Sequence, residues 1–363
     1  MSPARPPRSV VVKVGSSSVN PATVARLCGE IALLRAAGHA VVVVSSGAIA
    51  AGWTALGRGE KRPDDPALLQ AVSAVGQQRL MRTWQDGLDP HGILAGQVLL
   101  APLDFVHRTQ YLHARGTLGH LLELGVVPVV NENDAVADEE IRFGDNDRLA
   151  ALVAHLVRAH LLLLLTDAPG LLTADPRQFA EAALIDEVVE IDHHLEQMAG
   201  GAGSGVGSGG MASKVAAAKI ATWSGVETII ADASRPGVVA AAVAGEPGVG
   251  TVFRARAQRL SARKLWIAFA LGASGRLVVD RGAQDALAEG GRSLLPAGVV
   301  GVEGAFGPED AVEIVGPDGK VFAKGLVRLR AERASEWMGR RTDELPEDMS
   351  HLVVHRDDLV LVR

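Results

Sequence analysis

The chain has 363 residues, 48% of them hydrophobic, 21% charged and only 4% aromatic, so a large core must be built from Ala, Val and Leu. A formal net charge of -6 gives no global pull toward nucleic acid or an anionic membrane. The single cysteine, Cys28, excludes an intrachain disulfide, and no apolar run, Leu161–Leu165 included, approaches the roughly 20 residues of a membrane span.

In chain order, Met1–Ser9 is rich in Pro and Arg and lacks the apolar stretch of a secretory signal, so a cytoplasmic enzyme is the expectation. Val10–Val14 reads as a strand ended by Gly15 and three serines. Pro21–Ala37 reads as a helix, with Asn20 as cap, Pro21 at its first position and Gly38 at its stop. Cys28, inside it, reads as a small buried hydrophobe. Ala40–Val44 is a second strand, followed by Ser45-Ser46-Gly47. Pro66–Trp84 is helical, Ile93–Leu100 a strand, Thr109–Leu124 a helix and Val126–Val130 a strand that ends at Asn131-Glu132-Asn133-Asp134. Leu149–Arg158 is helical and Leu161–Leu165 a strand ending in Thr166-Asp167. A glycine-rich loop fills Gly200–Gly210. Met211–Trp223 is a helix, Thr228–Ile230 a strand and Pro236–Ala244 a helix.

Alternating strands and helices predict a three-layer αβα sandwich around a mostly parallel sheet, over about residues 1–258. Ligands in such folds sit beyond the carboxyl ends of the strands, where the polar clusters fall. The texture then changes. Short alternating runs, Leu277–Val279, Val299–Val302, Val312–Val315 and Val321–Val327, with a turn at Gly316-Pro317-Asp318-Gly319, predict a small β-rich domain over 272–363, joined by the basic stretch Arg254–Lys264.

Three constellations carry chemistry. The glycine loop leads through Ser208-Gly209-Gly210-Met211-Ala212-Ser213-Lys214 into a helix. Glycines let backbone N–H groups approach an anion, and a helix N-terminus adds free donors and partial positive charge. Lys214, in the first turn, opposes the helix dipole unless a negative ligand offsets it, which points to phosphate. The loop is not a Walker A motif, because Ser213 precedes the lysine and Val215 follows it. Gly205, Gly207 and Gly210 match GxGxxG, but a helix precedes them instead of a strand, so a dinucleotide site is rejected.

The second constellation is Lys13, at the end of an apolar strand, where an ammonium needs an anionic partner. The third is Gly144-Asp145-Asn146-Asp147-Arg148. Asn146 or Asp147 could cap the following helix, but one cap does not account for both aspartates and the asparagine. His193-His194 have no third ligand at metal spacing and read as solvated, as does Asp138-Glu139-Glu140.

Taken together, Val12-Lys13-Val14-Gly15-Ser16-Ser17, Ser45 to Gly52, Asn131 to Val136, Gly144 to Asp147, Leu164 to Asp167 and Ser208 to Lys214 resemble the amino acid kinase family, in its order and at its separations. The tail resembles a PUA domain. The resemblance implies transfer of the γ-phosphoryl group of ATP to the side-chain carboxylate of L-glutamate, the first step of proline synthesis. It implies Lys13 and Lys214 at the transferring phosphoryl group, with Asp147 holding both lysines. Ser46, Asp134 and Asn146 would bind glutamate, with Asp134 or Asn146 meeting its ammonium. Thr166 and Asp167 would border the nucleotide, and residues 208–214 would cover its phosphates.

The family also implies Mg²⁺ carried mainly by ATP, and no protein metal ligand is assigned from the sequence. It implies proline as a feedback inhibitor, a homo-oligomer (dimer or tetramer) and handover of the product to the next reductase. Other family members, acting on acetylglutamate, uridylate or aspartate, are the nearest rivals. RNA binding through Arg328–Arg341, with Phe306, Phe322 and Trp337 for stacking, is the rival from another class, and the few aromatics do not favour it.

Overall fold

The computed structural model describes residues 8–58, 65–136, 146–176, 178–179, 181–200, 210–257, 259–269, 271–289, 291–346 and 351–362. The chain divides into two compact units, Met1–Arg259 and Leu260–Arg363.

The described strands of the first unit are β1 (Ser9–Val14), β2 (Ala40–Ser45), β3 (Ala95–Leu100), β4 (Val127–Glu132), β5 (Leu161–Thr166), β6 (Glu187–Val188), β7 (Glu227–Asp232) and β8 (Thr251–Phe253). Its helices are α1 (Pro21–Ala36), α2 (Ala48–Ala55), α3 (Pro66–Leu88), α4 (Leu103–Val106), α5 (Arg108–Glu123), α6 (Asn146–Leu156), α7 (His193–Gly200), α8 (Met211–Trp223) and α9 (Val238–Ala244). The strands form one sheet in the order β3-β4-β2-β1-β5-β7-β8-β6. Every neighbouring pair is parallel except β7 with β8.

Side chains alternate across a strand, and that alternation decides which helices meet which residues. Val10, Val12 and Val14 join a core with residues of α1, α3 and α9. Val11 and Lys13 point to the opposite face, where α6 packs across β1 and against α8. Helices thus cover both faces, as the near-continuous burial of β1, β2 and β5 requires. The parallel run brings the ends of β1, β2, β4 and β5 to one rim.

The sequence signals act locally as read. Asn20 Oδ1 accepts from Thr23 N at 3.0 Å at the start of α1, and Gly38 takes φ 86° after its end. Cys28 is fully buried, and burial pushes its thiol up to about 12. Helix α6 starts earlier than the apolar pattern suggests. Asn146 and Asp147 lie inside its first turn, and their side chains reach across to other elements.

Helix α2 was not read from the sequence, and it matters for the site. It begins directly after β2, with Gly47 at its N-cap in a left-handed conformation at φ 110°. It then packs on α3 through two glycines. A Cβ at Gly76 would lie 1.7 Å from Ala48 O, and one at Gly52 would lie 2.0 Å from Val72 O. No side chain fits there, so α3 is drawn against the loop that follows β2.

In the second unit, β9 (Gly275–Val279), β10 (Val299–Gly304), β11 (Ala311–Val315), β12 (Val321–Val327) and β13 (Val354–Leu361) form a sheet in the order β10-β9-β11-β12-β13. The turn after β11 closes a hairpin, with Gly316 N donating to Lys320 O at 2.9 Å and Gly319 at φ 74°. Helices α10 (Ala262–Phe269), α11 (Arg281–Ala288) and α12 (Ala331–Trp337) are short. Residues 262–269, which the sequence leaves between the domains, pack against β12 and β13. Asp358, 2% exposed, is held there by Arg263 and Arg328 at 2.5 Å each.

Gly76→Ala gains helix propensity but overpacks the α2–α3 contact. It should destabilise the protein by about 1–3 kcal/mol, seen as a Tm lower by several degrees. An unchanged melting curve would contradict the close-contact reading.

Candidate active site

The rim holds two clusters that meet at the start of α6. The first is ionic. Asp147, with no exposed surface, lies 2.5 Å from Lys13 Nζ through Oδ1 and 3.2 Å from Lys214 Nζ through Oδ2. Both lysines are also buried, at 3% and 4% exposure. Ser213 Oγ lies 2.8 Å from Asp147 Oδ2 and 2.8 Å from Gly210 O. Lys13 and Lys214 therefore arrive from strands and helices 201 positions apart in the chain and share one carboxylate.

Burial alone would push the Asp147 carboxyl up. The two ammonium charges, with hydrogen bonds from Lys13 and Ser213, outweigh it and hold the group below the usual carboxylate range. Within this trio one unit of positive charge remains in excess. That excess suits an incoming anion and is costly without one. Gly210 caps α8 without a side-chain bond, so the first N–H groups of that helix have no partner within the helix.

The second cluster is neutral. Asn146 Nδ2 lies 3.2 Å from Ser45 O, 2.9 Å from Ser46 Oγ and 2.7 Å from Asn131 Oδ1. Asn131 Nδ2 donates to Gln77 Oε1 at 2.9 Å. Asp134, half-buried, accepts from Ser73 Oγ at 2.5 Å and makes no ion pair among the described residues. Trp84 Nε1 donates to Ser45 Oγ at 2.9 Å.

Of the residues selected from the sequence, Lys13, Asp147, Ser213 and Lys214 come together in the first cluster, and Ser46 and Asn146 in the second. Asp134 stands on the same rim beyond β4 and is tied to α3. Thr166, at the end of β5, donates from Oγ1 to Asp167 Oδ1 at 3.0 Å. Its carbonyl accepts from Ala233 N at 2.7 Å. Gly210, Met211 and Ala212 form the α8 start. Ser208, Gly209, the rest of the loop 201–209, Gly144-Asp145 and Asp138-Glu139-Glu140 lie outside the described residues.

Sequence reading placed Asn131 in a motif at the end of β4 without giving it a role, and it did not select Ser73 and Gln77. Ser73 and Gln77 sit at i and i+4 on the buried face of α3, and polar residues on such a stripe are the signal that could have found them. Arg26 and Glu30 escaped for the same reason. Arg26 donates to Ala233 O and to Arg235 O, and Glu30 accepts from Gly237 N and Val239 N, which braces the loop after β7 beside Thr166.

The aromatics considered for RNA stacking are enclosed in the second unit, with Phe306, Phe322 and Trp337 at 6%, 1% and 2% exposure. Arg328 is paired with Glu309 and Asp358. Among the described residues no helix is long and apolar enough to cross a membrane.

Comparison with known proteins gives the family. Residues 8–232 match the amino acid kinase family and residues 275–347 match the PUA domain. The chain belongs to the amino acid kinase family. Within it, the chain is 44% identical to a glutamate 5-kinase of Pelobacter propionicus, with 98% of each chain covered. It is 46% identical to a glutamate 5-kinase of Trichlorobacter lovleyi, with 98% of this chain and 97% of that one covered. An N-acetylglutamate synthase from Neisseria gonorrhoeae shares the fold, with a TM-score of 0.51 at 14% identity over 69% of this chain and 60% of that one. The resemblance drawn from the six sequence blocks and the PUA-like tail is thus borne out.

Replacing Asp147 with Asn would remove the carboxylate that both buried ammonium groups share, which should cost about 3–5 kcal/mol at neutral pH. The depressed carboxyl stabilises the fold above the unfolded value of about 3.9, and that contribution is lost as pH falls through the lower folded value. Urea midpoints followed down to acid pH should therefore fall more steeply in the parent than in Asp147→Asn. Parallel curves would mean that this group is not the linked one.

Proposed function

We propose that this chain transfers the γ-phosphoryl group of ATP to the side-chain carboxylate of L-glutamate, forming L-glutamyl 5-phosphate, the first step of proline synthesis. The observation that carries the reading is the pair of buried lysines sharing one buried carboxylate at the open start of α8, next to an amide cluster on the same rim. The glutamate 5-kinases that match nearly the whole chain support the choice of acceptor.

The nucleophile is ionised at neutral pH, since a glutamate carboxyl titrates at about 4.3, so no general base is needed. The obstacle is the approach of one anion to a polyanion, and catalysis becomes positioning plus positive charge. Lys13 and Lys214 meet the transferring group from two sides. Asp147 holds both ammonium groups in place. The N–H groups at the start of α8 receive phosphate oxygens, with Ser208 to Lys214 covering the nucleotide phosphates and Thr166 and Asp167 at its border. Ser46, Asp134 and Asn146 hold glutamate.

Mg²⁺ enters as part of the nucleotide substrate and screens its phosphates. Proline as feedback inhibitor, a homo-oligomer, a cytoplasmic location and delivery of the labile acyl phosphate to a reductase complete the reading.

The test is acyl-phosphate formation trapped with hydroxylamine, comparing L-glutamate with L-aspartate and N-acetyl-L-glutamate. L-glutamate alone should give ATP-dependent hydroxamate. Lys214→Ala leaves the neutral Lys13–Asp147 pair intact, so it should fold while kcat drops about 10²–10³-fold. Near-parental turnover by folded Lys214→Ala would refute the role of this lysine.

A further inference from the structure

We propose that Gln77 and Ser73, neither of which reaches the reacting atoms, are positioning residues that set the polarity of the acceptor site so that it takes an ammonium-bearing dicarboxylate. The inference rests on the glutamate reading above and adds the device that enforces it.

A backbone carbonyl can only accept a hydrogen bond. Ser45 O, 3.2 Å from the Asn146 amide, therefore requires the Nδ2 end of that amide to face it. Nδ2 then also faces Ser46 Oγ and Asn131, so the Asn131 atom at 2.7 Å must be Oδ1. Asn131 consequently turns Nδ2 toward Gln77, whose Oε1 accepts it at 2.9 Å. The direction of the whole chain is dictated from Ser45 and closed at its far end by Gln77. Its result is that the two Asn146 hydrogens are spent inward, and Oδ1 is the amide atom left to face a ligand.

Asp134 is treated in the same way. Ser73 Oγ donates to one carboxylate oxygen, and no cation among the described residues neutralises the group. The rim thus offers an amide oxygen and a carboxylate, both acceptors, which recognise an ammonium and disfavour a second carboxylate at that place.

Ser73 and Gln77 are 4% and 8% exposed and stand one helical turn apart on α3. Between them lies Gly76, whose missing side chain lets α3 touch α2. Gln77 also keeps a buried Nε2 with no partner among the described residues. An unpaired buried donor is unfavourable for stability alone, so its retention fits a residue kept for its acceptor.

Steady-state kinetics on the full chain would compare the parent with Ser73→Ala, Gln77→Met and Gln77→Glu, using L-glutamate and glutarate, which has the same carboxylates without the ammonium. In Ser73→Ala and Gln77→Met, KM for L-glutamate should rise about tenfold, KM for ATP should stay within about twofold, and the preference for L-glutamate over glutarate should shrink. Gln77→Glu keeps an acceptor for Asn131 and should keep the parental preference. Ser73→Ala changes little volume, so it remains informative if Gln77→Met fails to fold. Unchanged glutamate KM in folded variants, or an equal rise in both KM values, would overturn the inference. A parent protein that turns over no L-glutamate would overturn the functional reading, and this inference with it.

Discussion

Two ammonium groups and one carboxylate are buried together where β1 ends, and most of the first unit is arranged to make that tolerable. A buried ion pair is at best near break-even against desolvation. A second buried cation on the same carboxylate is worse, unless something negative is to be bound there. The trio of Lys13, Asp147 and Lys214 is therefore the feature on which the proposed anion-handling site rests. It depends on strand alternation, which turns Lys13 away from the valine face of β1 and toward α6. It depends equally on α8, which delivers Lys214 from its first turn.

Helix α6 joins the two clusters. Its first two residues are consecutive, yet Asn146 reaches the amide cluster and Asp147 the lysines. A shift in the start of α6 would thus disturb both clusters together. The helix beneath the acceptor side, α3, approaches closely because glycine contacts with α2 leave no room for side chains. Packing and polarity are coupled there, since Gly76 lies between Ser73 and Gln77 in sequence.

The second unit is stabilised differently. Its sheet mixes parallel and antiparallel pairs, and its buried charge, Asp358, is matched by two arginines instead of sharing a deficit. A satisfied ion cluster of that kind is structural. Its aromatics are spent on burial, with Phe306 and Phe322 in the core cluster.

The alternation of apolar runs with helical periods identified the layered α/β unit, and turn residues such as Gly316 to Gly319 identified the hairpin. Capping at Asn20 and the start of α8 after the glycine-rich loop were equally legible, because each rests on neighbours within a few positions. Helix α2 was not, since Ala48–Ala55 has little periodicity and is held by its contact with α3. Nor were the roles of Ser73, Gln77, Arg26 and Glu30, which look like ordinary polar helix residues until their partners appear 61 and more than 200 positions away, or 54 for Gln77. Sequence alone determined which residue types could bind phosphate and carboxylate, because that chemistry is local. Only the tertiary structure decided which cation shares which anion and which way each amide points, because those depend on distances between segments that the chain order does not specify.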